Sequence, residues 1–188
     1  NQKLLRKGDT IMDEKFSYIS VRGRTIYLDG EIITARVAKD FFKAMILLDC
    51  DSHEPITLYI DSPGGFFSAA MNMYDAIADS RSHVTGIVTC RAESMAVIVL
   101  QACDKKKAYA HSSFRLHGVL FEQISLNEIL MGEKSSNIAR AIKEQKELIR
   151  ILEATTKNSS EIVTKWLSKD TLMSAYEAHK NRIIDEIL

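Results

Sequence analysis

No sign of charge prevails in this chain: Lys plus Arg number 25 and Asp plus Glu number 25, so its 188 residues carry no formal net charge. No run of like charge exceeds the short Lys105-Lys106-Lys107 stretch, expected as a solvated turn. That argues against nucleic acid as the main partner, and in a domain of this size it suggests a surface partly covered by other subunits. A disulfide framework is missing too. Cys50, Cys90 and Cys103 are an odd number without C-x-x-C spacing, which fits a reducing compartment and makes the cytoplasm the expected location. There is no run of eighteen apolar residues and no basic-then-apolar leader, so neither a membrane span nor a secretory signal is visible. No H-E-x-x-H or comparable cluster calls for a metal, and no cofactor is expected. Repeats, low-complexity tracts and linkers are absent as well, which leaves a single domain over 1–188, with 46% hydrophobic residues to fill its core.

What is present alternates between strand and helix. Residues 1–20 have mixed charge and little period and read as an N-terminal arm. Arg24 to Leu28 reads as a strand closed by Asp29-Gly30. Thr34 caps a helix whose Val37, Phe41, Met45 and Leu48 share one face, ending near Cys50. Ile56 to Ile60 is a strand, Phe67 to Ala78 an amphipathic helix, and Val84 to Thr89 another strand. This order implies βαβ units. A buried helix starts around Ser94 and runs through Leu100, and strand signals return at Ala108 to Ala110 and Phe114 to Val119. Ser125 and Glu128 form a capping box opening a helix of close to thirty residues, about 45 Å long at 1.5 Å per residue. Such a helix should project from the domain, and the region from about 121 to 155 is expected as a handle. Ser159 or Ser160 caps a short helix holding Trp166, Ser174 and Glu177 make a second capping box, and Ile183 to Leu188 closes as a strand.

Two segments carry chemistry. Ser62-Pro63-Gly64-Gly65 follows one apolar strand, and Ala92-Glu93-Ser94-Met95 follows another. Glycines leave backbone N–H groups open to a ligand, and no Lys-Ser or Lys-Thr follows them as a phosphate-binding loop would require. A serine at a strand-to-helix turn is more often only a cap. As a nucleophile it needs a base to take its proton and a third group to fix the base's tautomer. His111 and His117 both lie near strand ends and compete for the first role, Asp170 and Asp185 for the second.

In order and spacing, the strand Arg24 to Leu28, Leu58 to Gly65, Ala92 to Ala96, Arg115-Leu116-His117 and Asp170 to Ala178 with Ile184 to Leu188 resemble the ClpP family, the proteolytic subunits of ATP-dependent Clp proteases. The resemblance implies an α/β fold, a ClpP/crotonase-like repeated βαβ spiral with a projecting long-helix handle. It implies a serine endopeptidase with Ser94 as nucleophile, His117 as base and Asp170 as orienting acid. The N–H groups of Gly65 and Met95 would form the oxyanion hole, where losing one donor costs about 3 to 4 kcal/mol. Unfolded polypeptide would lie as an added strand along Gly64, Gly65, Phe66, Phe67 and Ser68. Two stacked seven-membered rings, a tetradecamer, would enclose a chamber fed by an AAA+ unfoldase of Clp type.

Some positions depart from the family pattern and mark a divergent member. Cys90 and Glu93 stand where Gly and Ala are usual, Asp61 replaces Asn, and Arg182 replaces Gly. Gly118-Val119-Leu120-Phe121 replaces Gln-Pro and a glycine-rich strand. Two other classes stay open: a non-catalytic ClpP-like structural subunit, and a crotonase-type acyl-CoA enzyme, which has no use for a serine at 94.

Overall fold

The computed structural model of the chain describes residues 16–120 and 125–188. Most of the expected arm, and Phe121 with the three residues after it, lie outside them. Strands β1 (Ser20–Arg22), β2 (Thr25–Asp29), β3 (Ile56–Ser62), β4 (Val84–Glu93) and β5 (Lys105–Ala108) are neighbours in that order, and β8 (Glu186–Ile187) closes the far edge. From β2 to β5 the strands are parallel. Parallel neighbours need crossovers, here supplied by α1 (Ala35–Asp51), α2 (Phe67–Ala78) and α3 (Met95–Gln101).

Sequence pattern accounts for the layering. Along β3 buried residues alternate with half-buried ones, so Ile56, Leu58 and Ile60 meet the core from one face. Val37, Phe41, Met45 and Leu48 of α1 are buried at the helical spacing the sequence announces, behind the Thr34 cap. All seven residues of α3 are buried. Burying one such large side chain contributes about 1.5–3 kcal/mol. Arg24 lies just before β2 and fastens two layers: its guanidinium donates to the carbonyls of Leu48 (2.8 Å) and Ser52 (3.1 Å) and to Ser82 Oγ (2.9 Å). Leu48 O already accepts from the Ser52 N–H that closes α1 (3.2 Å), whereas Ser52 O, at the helix end, has no helical partner. Asp49 on the same turn accepts from the N–H groups of Arg81 (3.1 Å) and Ser82 (3.0 Å) and from the hydroxyls of Ser80 (3.1 Å) and Ser82 (2.9 Å).

The feature that creates the site is the length of β4. Its first part, Thr85 to Val88, pairs with β5, while Arg91 to Glu93 pair with β6 (Ser113–Leu116). β6 in turn pairs antiparallel with β7 (Thr171–Ser174). A small two-stranded flap is thus held beside the end of β4, where α3 begins.

Four expectations need correction. The long helix is broken: α4 (Leu126–Met131) stops at Gly132, whose φ of 55° ends it, and after a 3-10 turn α5 (Ser136–Thr156) starts afresh. At 21 residues α5 spans about 31 Å rather than 45. Lys105-Lys106-Lys107 is strand, not turn, because the C-terminal Asp185 and Glu186 lie across from it, with Lys107 Nζ 3.1 Å from Glu186. The closing strand is limited to Glu186–Ile187. The strand expected up to Val119 ends at Leu116, where β7, itself unforeseen, also starts its pairing. Both capping boxes and the Ser159 cap are as expected. Among the described residues no helix is long and apolar enough to cross a membrane.

Candidate active site

Ser94 occupies the single residue between β4 and α3, with φ 52° and ψ −123°. A non-glycine residue held there costs about 1–3 kcal/mol and persists only where its surroundings dictate it. Those surroundings are visible: Ser94 N–H donates to Arg115 O (2.7 Å) and Val97 N–H donates to Ser94 O (3.1 Å). Gly64 packs on the turn from the other side. A Cβ on it would lie 2.5 Å from Glu93 O, 2.8 Å from Ser94 Cβ and 2.9 Å from Met95 N, so only glycine fits.

Gly65 sits in an isolated parallel bridge with Ile33. Ile33 N–H donates to Gly64 O (2.8 Å) and Phe66 N–H donates to Ile33 O (2.9 Å), so the bridge uses the groups flanking Gly65 and turns Gly65's own N–H the opposite way. Met95 is the first residue of α3, whose leading N–H groups have no helical acceptor. Among the described residues neither N–H has a protein partner. The two unpartnered N–H groups, of Gly65 and Met95, belong to residues that line one cavity with Ser94, as donors to a developing oxyanion would have to.

These residues open on a cavity of about 760 Å³ lined by Gly65, Phe66, Phe67, Ser68, Ser94, Met95 and His117. Its wall was not foreseen. Ile98 of α3, Leu148 and Leu152 of α5, and Leu167 of α6 (Ser160–Ser168) make it apolar, and Asn137, Arg140 and Glu144 stand at its polar side. The helical period of Leu148 and Leu152 was readable, but nothing local says that this face looks at the serine.

His117 Nδ1 lies 2.7 Å from Gly118 O. A carbonyl can only accept, so Nδ1 carries the proton and Nε2 keeps its lone pair, the tautomer a general base requires. His111 is exposed in a turn outside the cavity lining. Asp170, with φ 51°, immediately precedes β7. Leu116 and Thr171 are the last pair of the ladder, so His117 and Asp170 each lie one residue past it. The carboxylate nevertheless goes elsewhere. Both of its oxygens accept from Arg115, Nε at 2.8 Å and Nη2 at 2.5 Å. These bonds hold it below the usual carboxylate range against a smaller effect of burial, aided by the charge of Arg115. Among the described residues no hydrogen bond joins Ser94 to His117 or His117 to Asp170. Asp185 is committed to Lys106, accepting from its N–H at 2.8 Å.

Glu93 does not point unmatched at the serine. Arg91 Nη1 lies 3.9 Å from it, while Arg91 Nε reaches toward Asp61 at 3.5 Å. Across the ladder its partner is Arg115. Among the described residues no cluster of three or more His, Cys, Asp or Glu is arranged to hold a metal.

The sequence matches the family described as Clp protease over residues 10–188. It is 29% identical over 182 residues to the ATP-dependent Clp protease proteolytic subunit of Carsonella ruddii (strain PV), covering 97% of this chain and 91% of that protein. With the ATP-dependent Clp protease proteolytic subunit 3 of Synechococcus sp. (strain CC9605) it shares 34% identity over 173 residues, 88% of this chain and 82% of the relative. A ClpP1 point mutant from Listeria monocytogenes superimposes with a TM-score of 0.78 at 24% identity, covering 88% of this chain and 91% of that one, a likeness of fold. With an α/β fold of ClpP/crotonase-like type and a match along nearly its whole length, the chain belongs to the Clp protease family.

Proposed function

We propose that this chain cleaves unfolded polypeptides inside a closed oligomeric chamber, with Ser94 as nucleophile, His117 as general base and Asp170 as the acid that orients it. Membership of the family makes it a Clp protease proteolytic subunit and a serine-type peptidase. The observation that carries the finer reading is the strained Ser94 turn, which shares one cavity with His117 and lies beside the unpartnered N–H groups of Gly65 and Met95.

In this reading Ser94 Oγ attacks the scissile carbonyl carbon as His117 Nε2 takes its proton, and the carbonyl oxygen gains its negative charge between the two amides. Collapse returns the electron pair, breaks the C–N bond and passes the proton from His117 to the departing amine. Water, deprotonated by the same base, then hydrolyses the acyl-enzyme. Gly64 to Ser68 offer backbone to an extended chain, which accounts for tolerance of sequence, and the apolar wall receives one side chain. Ring stacking is supported by α4, whose Leu126, Ile129, Leu130 and Met131 are all exposed. Two seven-membered rings and a hexameric AAA+ unfoldase complete the assembly.

The Arg115–Asp170 pair favours a second reading, a ring subunit without catalysis. A fluorophosphonate probe separates the two. Labelling that disappears in Ser94→Ala and in His117→Ala, with the assembly intact, is the expected result. A well-formed particle that never labels would replace the peptidase by the structural subunit.

A further inference from the structure

Asp170 has two claimants on one strand face. Arg115 and His117 are two residues apart on β6 and its continuation, so their side chains leave the same face about 6.7 Å apart. Arg115 is exposed, Leu116 buried and His117 half-buried, as that alternation requires. Asp170 and His117 each lie one residue past the Leu116–Thr171 pair that ends the ladder, yet the Asp170 carboxylate leans back along it to Arg115, which stands across from Leu172. With both oxygens turned to Arg115 in a fork-to-fork pair, neither is hydrogen-bonded to His117, whose Nδ1–H is satisfied instead by Gly118 O. On its other side Arg115 faces Glu93 of β4. A guanidinium between carboxylates on both neighbouring strands has somewhere to go when it releases one of them.

We propose that Arg115 is a positioning residue that holds Asp170 off His117, so that the Ser94–His117–Asp170 triad closes only when Arg115 lets the carboxylate go. The inference rests on the serine peptidase reading above. The latch is weak by construction. Arg115 and Asp170 have side chains 47% and 48% exposed, and exposed pairs hold a geometry by a small factor. Its release should therefore raise the reaction rate of Ser94 about two- to fivefold, and a contact made on assembly or substrate binding would suffice to open it.

The test uses the assembled particle, with the fluorophosphonate labelling rate and the melting temperature as readouts. Arg115→Gln should label about two- to fivefold faster than the parent without a change in melting temperature. Arg115→Lys, whose single ammonium cannot grip both oxygens, should fall between them. Because Arg115 acts through Asp170, the acceleration should vanish when Arg115→Gln is combined with Asp170→Asn, a coupling that a merely structural role would not produce. Ser94-dependent labelling that is unchanged or slower in Arg115→Gln overturns the latch while leaving the peptidase standing. So does acceleration that persists in the Asp170→Asn background. Absence of labelling in parent and Arg115→Gln alike overturns the peptidase reading and the latch with it.

Discussion

Replacing Gly64 by alanine tests whether the glycine loop and the nucleophile turn are one packed unit. Gly64 has φ 88°, and its new methyl would sit 2.5 Å from Glu93 O, 2.8 Å from Ser94 Cβ and 2.9 Å from Met95 N. None of these is the far end of a flexible side chain, so backbone must move. The left-handed backbone costs a side-chain-bearing residue about 1–2 kcal/mol, and overpacking adds about 1–3 kcal/mol. Gly30→Ala supplies the control: Gly30 also has positive φ, 69°, but its added Cβ meets nothing within 4 Å. The two variants therefore share the backbone penalty and differ by the packing cost of about 1–3 kcal/mol. For a chain of this size that is a melting-temperature gap of about 2–12 °C. Because the displaced atoms include Met95 N and Ser94, Gly64→Ala should also lose about 100-fold in fluorophosphonate labelling, the scale expected for a misplacement near 1 Å. Gly30→Ala should label like the parent. Equal melting temperatures with undiminished labelling in Gly64→Ala would show that the loop does not abut the turn and would remove the physical basis for the oxyanion site.

The choice between histidines is tested by His111→Ala, which should label normally, whereas loss of labelling there with retention in His117→Ala would reverse the assignment. Asp49 is held well below the usual carboxylate range, where burial, which raises it, is outweighed by hydrogen bonds from Ser82, the Arg81 N–H and Ser80. Its folded value lies below an unfolded value of about 4, so its stabilisation is present above that pH and is lost as pH falls toward the folded value. Asp49→Asn should melt lower than the parent at pH 7, with the gap narrowing below about pH 4; an identical gap at pH 3 would contradict this. Leu130→Asp puts a charge on an apolar face that is 76% exposed at that residue. Native mass measurement should show stacked rings reduced to single ones, and an unchanged particle would mean that α4 is not the contact.

Local chemistry was legible wherever a residue's neighbours in sequence are also its partners in space. Thr34, Ser125, Ser159 and Ser174 cap helices through atoms three residues away, and the apolar spacing of α1 and α2 reports their buried faces directly. Ser94 was legible as a strand-to-helix turn flanked by a glycine loop. Long-range pairing was not. Lys105 to Lys107 are strand because of residues some eighty positions on, and Arg115 takes Asp170 from 55 positions away. Gly132 interrupts an otherwise continuous helical period through one backbone angle, a reading the apolar pattern alone could not supply. Glu93 has a cation two residues away in Arg91, while its cross-strand cation, Arg115, shows only in the register of β4 against β6.

The Ile33–Gly65 bridge divides the machinery into two mechanical halves. The Gly65 amide, one of the two proposed oxyanion donors, is anchored to the main sheet's own framework through a contact too tight to admit even a methyl group, so that half is in place before any peptide arrives. The proposed acid, Asp170, rides on a surface flap that, among the described residues, pairs with the sheet through β6. If the proposed mechanism holds, control over turnover belongs to the soft half: an outside partner could tune the reaction without ever disturbing the donors that meet its transition state.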